Sequence, residues 1–345
     1  MRSTIPEFEP HPLLPNGHCQ TIGGYYLTGK GVGPASRGVE VTLSDGDRLR
    51  VEDSIPPCWS PGKPSALLVH GLAGSARSPY VVRVASRLVR QGIRVVRMNL
   101  RGAGDGFGLA RGIYHAGKTE DVRAAAEWLA SEAPGSPIAL VGFSLGGNLV
   151  LKLASEASDE PLAGLDCVLA ANAPLDLAAC SHLMRLPSRR IYDQTFVKNL
   201  RSQINRLHAE FPDLGPADLD GVDSVYDFDD RYTAPRHGFA GADDYYARSS
   251  AGPLLSKICV PGLVVHAEDD PFIPVESYRG LEFPVRLALE MNLCGGHLGY
   301  ISRTPWGGDR RWLDSRLSLW LADHWETAQI TREGRQNAHD HHDSQ

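Results

Sequence analysis

The sequence predicts an α/β fold: a mostly parallel central sheet with helices on both faces and a cap inserted near its carboxyl edge. Three observations carry that prediction. Short apolar runs alternate with helical patterns from about Ala66 onward. The runs are apolar throughout, as strands buried on both faces must be. One long interval, about 176–252, breaks the rhythm.

Taken in order, the first 60 residues are rich in Gly and Pro and hold one alternating stretch, "VEVTLSDGDRLRV". Asp45-Gly46 there separates two strand-like runs, the signature of a hairpin. "ALLVH" is the first buried strand. "SPYVVRVASRLVRQG" then sets Tyr80, Val81, Val84, Ala85, Leu88 and Val89 on one helical face and stops at Gly92. "IRVVRMNL" with "KTEDVRAAAEWLASE" repeats the cycle, and "IALVGF" with "LGGNLVLK" repeats it again. "LDCVLAANAP", "GLVVHAEDDP" and "VRLALEMNLCGGH" supply three more strands, and "RRWLDSRLSLWLADHW" a closing helix. Alternation at this spacing calls for a parallel sheet. The charged, aromatic-rich interval 176–252 is too long for an ordinary connection. It reads as a cap over the strand ends, where open α/β sheets bind ligands. One domain is expected over 1–325, with 326–345 a disordered polar tail.

Composition excludes several classes. The chain has 345 residues, 35 basic against 41 acidic, for a net charge of −6. That offers no basic footprint for nucleic acid. "MRSTIPEFEPHPLLP" lacks the apolar core of a signal peptide, and no run is long enough to span a membrane. Six scattered cysteines without a C-x-x-C pair suit a reduced, cytoplasmic protein. The acidic run "DLDGVDSVYDFDD" lacks the ligand order of a calcium loop, and "HDHHD" in the tail reads as polar end rather than metal site. No metal or organic cofactor is expected.

The chemistry centres on Gly142-Phe143-Ser144-Leu145-Gly146-Gly147. No Lys follows the glycines as a phosphate loop requires, and Ser144 replaces the second glycine of a dinucleotide fingerprint. The string is G-x-S-x-G between a strand and a helix, the setting in which a serine is held at the tip of a strained turn. A serine nucleophile needs a base, and the base needs an orienting carboxylate. In this arrangement acid and then histidine follow the serine along the chain. Asp270 and its neighbour Asp269 sit just past a buried strand, with Asp270 preferred and Asp176, one strand earlier, behind both. Of the later histidines, His297 alone lies in a glycine-flanked loop after a strand, "CGGHLGY". His324 belongs to the closing helix and His70 to a structural turn. The backbone amides of Leu145 and Leu72, in "HGLAGSARS", are the expected donors to an oxyanion. The aromatics Tyr226, Phe228, Tyr232, Phe239, Tyr245 and Tyr246 suit either a small cap core or an acyl pocket.

Beyond that motif, "NGHCQT", "HGLAGS", "MNLRGAGDG", "YHAGKTEDV", "DFDDRYTAPRHGF", "DDYYARSS", "AEDDPFIP" and "GGHLGY" resemble the YheT-like α/β hydrolases, carboxylesterase-like proteins related to mammalian abhydrolase-domain lipases. The resemblance runs from about Pro12 to Trp320. It implies the α/β-hydrolase fold, a Ser144–Asp270–His297 charge relay, and hydrolysis of short- or medium-chain acyl esters. Cys19 and Ala103 depart from the Leu and Cys expected there, and neither is a proposed catalytic residue. The expected partner is a small-molecule or lipid ester, with peripheral membrane contact open. Thioesterase, amidase or C–C hydrolase chemistry, or a binding protein without chemistry, are the alternatives. Asn16-Gly17-His18 is unexplained by triad chemistry, and His18 suits reaching the active site and packing equally well.

Overall fold

The computed structural model describes residues 6–27, 33–306 and 308–342. A first helix, α1 (Gly17–Tyr26), precedes the sheet. The strands are β1 (Arg37–Thr42), β2 (Arg48–Ser54), β3 (Ser65–Val69), β4 (Arg94–Met98), β5 (Ile138–Phe143), β6 (Leu165–Ala171), β7 (Gly262–Ala267) and β8 (Leu287–Asn292). They lie in the order β1-β2-β4-β3-β5-β6-β7-β8. The β1–β2 hairpin is antiparallel, turning at Asp45-Gly46 as the sequence predicts, and β2 also meets β4 antiparallel. From β4 to β8 every pairing is parallel.

Between these strands run α2 (Pro79–Arg90), α3 (Thr119–Glu132) and α4 (Leu145–Glu156). Strand residues alternate between two cores. Ala66, Leu68, Val141 and Phe143 face α2 and the closing helix. Leu67, Val69, Ile138 and Leu140 face α3 and α4. Both faces are therefore dry, which is why these strands carry unbroken apolar runs.

The interval after β6 is a helical insertion. It holds α5 (Leu177–Met184), α6 (Arg190–Glu210), α7 (Val225–Phe228), α8 (Ala234–Arg236) and α9 (Ala242–Ser249) before β7 resumes the sheet. It has a core of its own, with Val197, Leu200 and Ile204 of α6 packed near Leu219, Phe228 and Tyr232. A two-stranded ribbon, β9 (Ile301–Trp306) and β10 (Asp309–Arg311), leads into α10 (Trp312–His342). That helix runs past Trp325, where composition places the start of a polar tail. Glu, Ala, Gln and Arg dominate there and favour helix. The "HDHHD" side chains lie outside the described residues. Among the described residues no helix is long and apolar enough to cross a membrane.

The chain leaves β3 for β4 on one side and returns to β5 on the other. The strand order thus switches direction at β3, and open sheets form their ligand crevice beyond the carboxyl ends at such a switch. Leu72 follows β3 and Ser144 follows β5, so both stand at that crevice.

Candidate active site

Ser144 sits between β5 and α4 at φ 51°, ψ −123°, a left-handed backbone that a side-chain-bearing residue adopts only under constraint. The glycines around it are required by space. A Cβ on Gly142 would stand 2.2 Å from the Gly146 carbonyl oxygen, and one on Gly146 would stand 2.3 Å from that of Val69. The elbow closes because neither carries one.

The Ser144 hydroxyl donates to His297 Nε2 at 2.9 Å, and His297 Nδ1 donates to Asp270 Oδ2 at 2.8 Å. The Asp270 side chain is fully buried. Its Oδ1 accepts the amides of Phe272 (2.8 Å) and Ile273 (3.2 Å), and Oδ2 accepts Asn172 Nδ2 at 2.7 Å. Burial alone would raise this carboxyl's pKa. The charge and hydrogen bond of His297, with the backbone donors, outweigh it and hold the pKa below the usual range.

The other acids are placed elsewhere. Asp269 turns away from His297: its Oδ1 accepts the Gly296 amide at 2.8 Å, and burial raises its pKa. Asp176 caps α5, accepting the Ala179 amide at 2.9 Å. His70 is locked in its turn. Its Nδ1 donates to the Gly71 carbonyl at 2.7 Å, Nε2 accepts the Leu100 amide at 3.1 Å, and burial lowers its pKa to about 4. His324 pairs with Asp166 on the outside of the sheet.

A Cβ on Gly71 would lie 2.9 Å from Ser144 Cβ, which brings the turn after β3 directly against the serine. The amides on either side of Leu72 are engaged: Gly71 N–H with Tyr80 Oη at 3.0 Å and Ala73 N–H with Tyr114 Oη at 2.8 Å. The Leu72 amide has no hydrogen-bond partner among the described residues. The same is true of Leu145, the first residue of α4, where helix geometry leaves the amide unpaired.

Sequence reasoning missed the residues that hold His297 in place. Thr21 of α1 accepts the His297 amide on its hydroxyl at 2.8 Å, while that hydroxyl donates to the Gly17 carbonyl. Gly24, Gly296 and Gly299 let α1 approach the histidine loop, and Gly17 lets it approach the Asp269 backbone, so closely that a Cβ on any of them would strike backbone. Asn172, at φ 46°, bridges Asp270 and the Gly296 carbonyl. "NGHCQT" is thus a support for the histidine loop. The one sequence signal is Gly23-Gly24, just beyond it in the same helix, a pair that propensity disfavours unless packing requires it.

A cavity of about 980 Å³, counting its open mouth, leads to Ser144 and His297. The insertion supplies much of its wall, including Met184, Phe196, Leu200 and Ile204. Of the aromatics in question, Phe228, Tyr245 and Tyr246 line it, Phe228 also joins the insertion's core with Tyr232, and Tyr226 and Phe239 pack against the main core. One charged group interrupts the apolar wall. Asp229 accepts Tyr246 Oη and Thr233 Oγ1, each at 2.8 Å, and burial pushes its pKa up to about 7.

The family model for the alpha/beta hydrolase fold matches residues 64–304. The chain is an α/β hydrolase. Strands β3 to β8, the serine elbow and the inserted helices all lie within the matched residues. It is 36% identical to YheT of Escherichia coli (strain K12), over 82% of this hydrolase and 84% of that protein, which bears out the YheT-like resemblance. It is 28% identical to phospholipase ABHD3 of Homo sapiens, over 69% of this chain and 59% of that protein. Esterase Pf2001 of Pyrococcus furiosus superposes with a TM-score of 0.54 at 17% identity, covering 85% of the hydrolase and 97% of Pf2001. That likeness concerns the fold.

Proposed function

We propose that this hydrolase cleaves carboxylic esters through a Ser144–His297–Asp270 triad and an acyl-enzyme. The observation that carries the reading is the unbroken relay from Ser144 Oγ through His297 to a buried, ionised Asp270. Asp270 fixes the tautomer in which Nδ1 carries the proton and Nε2 faces the serine. His297 takes the hydroxyl proton as Ser144 attacks the ester carbonyl. The amides of Leu72 and Leu145 hold the oxyanion, and His297 passes the proton to the departing alcohol. Water then attacks the acyl-enzyme, with His297 again the base, and free Ser144 returns. Phospholipase and "monoacylglycerol lipase" among the relatives' names agree with an ester substrate. The apolar cavity suits a short or medium acyl chain.

Labelling with a fluorophosphonate probe tests this directly. Wild type labels, and Ser144→Ala and His297→Ala, both folded, do not. Equal labelling of Ser144→Ala would place the reactive serine elsewhere and sink the assignment. A graded series of p-nitrophenyl esters then reads chain length.

A further inference from the structure

The N-terminal helix α1 presents two unlike sides. Its glycine side is clamped to the histidine loop. Its outward side carries Ile22, Tyr25, Tyr26 and, just past its end, Leu27, at 48%, 72%, 76% and 63% exposure. Apolar residues left this open on a helix otherwise tightly packed call for a partner.

The same face continues onto the insertion. Arg189 Nη1 donates to His18 Nε2 at 2.8 Å, and His18 Nδ1 meets Tyr192 Oη at 2.8 Å, so the first turn of α1 abuts the first turn of α6. Leu186 and Ile191 stand exposed there at 49% and 72%. Charge on these two segments is one-sided, with Asp269 the acid that nears His18. Residues 11–27 and 177–192 contain Arg185, Arg189 and Arg190 and no Asp or Glu, in a chain whose net charge is −6. The face also leads to the site. The His18 ring stacks on Tyr192 at 5.7 Å, Tyr192 meets Phe272 at 4.8 Å, and Phe272 packs on His297 at 4.7 Å.

We propose that α1 and the front of the insertion form a docking face for an anionic lipid surface. Tyrosines with aliphatic neighbours suit the boundary between headgroup and acyl chain, and arginines beside them attract anionic headgroups. A protein partner would ordinarily meet charges of both signs, whereas here Arg189 and Arg190 stand beside the exposed apolar residues and the nearby Asp269 is half-buried against Gly17 and His18. Docking there sets the mouth of an apolar, ester-cleaving cavity beside its lipid. That last step rests on the esterase reading; the docking itself does not.

Flotation of the full chain with phosphatidylcholine vesicles, with and without phosphatidylglycerol, tests the proposal. Wild type floats with the anionic vesicles. Tyr25→Ser combined with Tyr26→Ser, and Arg190→Glu alone, each weaken that binding about tenfold. Both variants keep wild-type melting and hydrolyse a soluble short-chain ester normally. Ser144→Ala floats like wild type, which separates failure of docking from failure of the triad. The proposal is overturned if wild type stays with the soluble fraction or binds neutral vesicles as tightly. It is equally overturned if the variants float unchanged, or if wild type is a dimer in solution that the tyrosine pair breaks, since a second copy would then cover the face.

Discussion

At the scale of single residues, the candidate site is braced by a threonine outside the proposed triad. His297 lies between Gly296 at φ 57° and Leu298 at φ 57°, a stretch of left-handed backbone that will not hold its shape unaided. Thr21 anchors it by accepting the His297 amide, from 276 residues away in the chain. Thr21→Val keeps the shape and removes the acceptor, leaving a half-buried amide unpaired and the imidazole less well aimed. The expected result is a fall in kcat of about tenfold with KM for a soluble ester little changed. Thr21→Ser keeps the oxygen and restores the rate. Equal losses in the two variants, or losses that follow the melting temperature, would make Thr21 a packing residue only. Ser144 and His297 are legible in the sequence because a motif and an order rule point to them. Thr21 is not, because a threonine in a short helix has no pattern of its own.

At the scale of elements, β3 through β7 and their helices are legible because both faces of each strand are buried and local pattern agrees with the final packing. The insertion is legible only as an interruption. Its helices take their shape from contacts among segments distant in sequence, such as Ile204 of α6 with Phe228 of α7. Asp229 follows α7 on a π-helical turn, 229–233, and ties the insertion together through Tyr246 of α9. Its position has a cost that depends on pH. The pKa, about 7 in the fold, stands above the ordinary value of 3.8. Between those values the unfolded chain releases the proton while the fold retains it, so stability is lost as pH rises through that window and is level above it. Asp229→Asn removes that loss. Its melting temperature relative to wild type should climb by roughly 5 °C from pH 4 to 7 and then stay constant. A difference that is flat across the window would mean that water or a rearranged Tyr246 already relieves the carboxyl.

At the scale of the whole molecule, the two edges of the sheet divide the labour. The carboxyl edge carries the strained residues, the Leu72 and Leu145 amides that have no partner among the described residues, and the cavity. The amino edge carries a buried ion pair that pins the antiparallel hairpin to the parallel strands. Arg94, at the start of β4, reaches Asp53 of β2 through Nε and Nη2, each at 3.0 Å. It donates a third bond to the Glu132 carbonyl at the end of α3, and its guanidinium lies over Trp59 at 5.0 Å. Both side chains are buried, at 1% and 0% exposure. Asp53→Asn keeps the volume but leaves the guanidinium without its counter-charge, which costs about 3–5 kcal/mol. The variant should therefore unfold at markedly lower denaturant, with an unchanged slope. Because Ser65 pairs with Arg94 at one end of β3 while the serine elbow closes at the other end of the sheet, the folded fraction should label with fluorophosphonate at the wild-type rate. A labelling rate that falls together with the midpoint would show that the two edges are coupled through β3 and β5, and that stability and reactivity cannot be separated along this sheet.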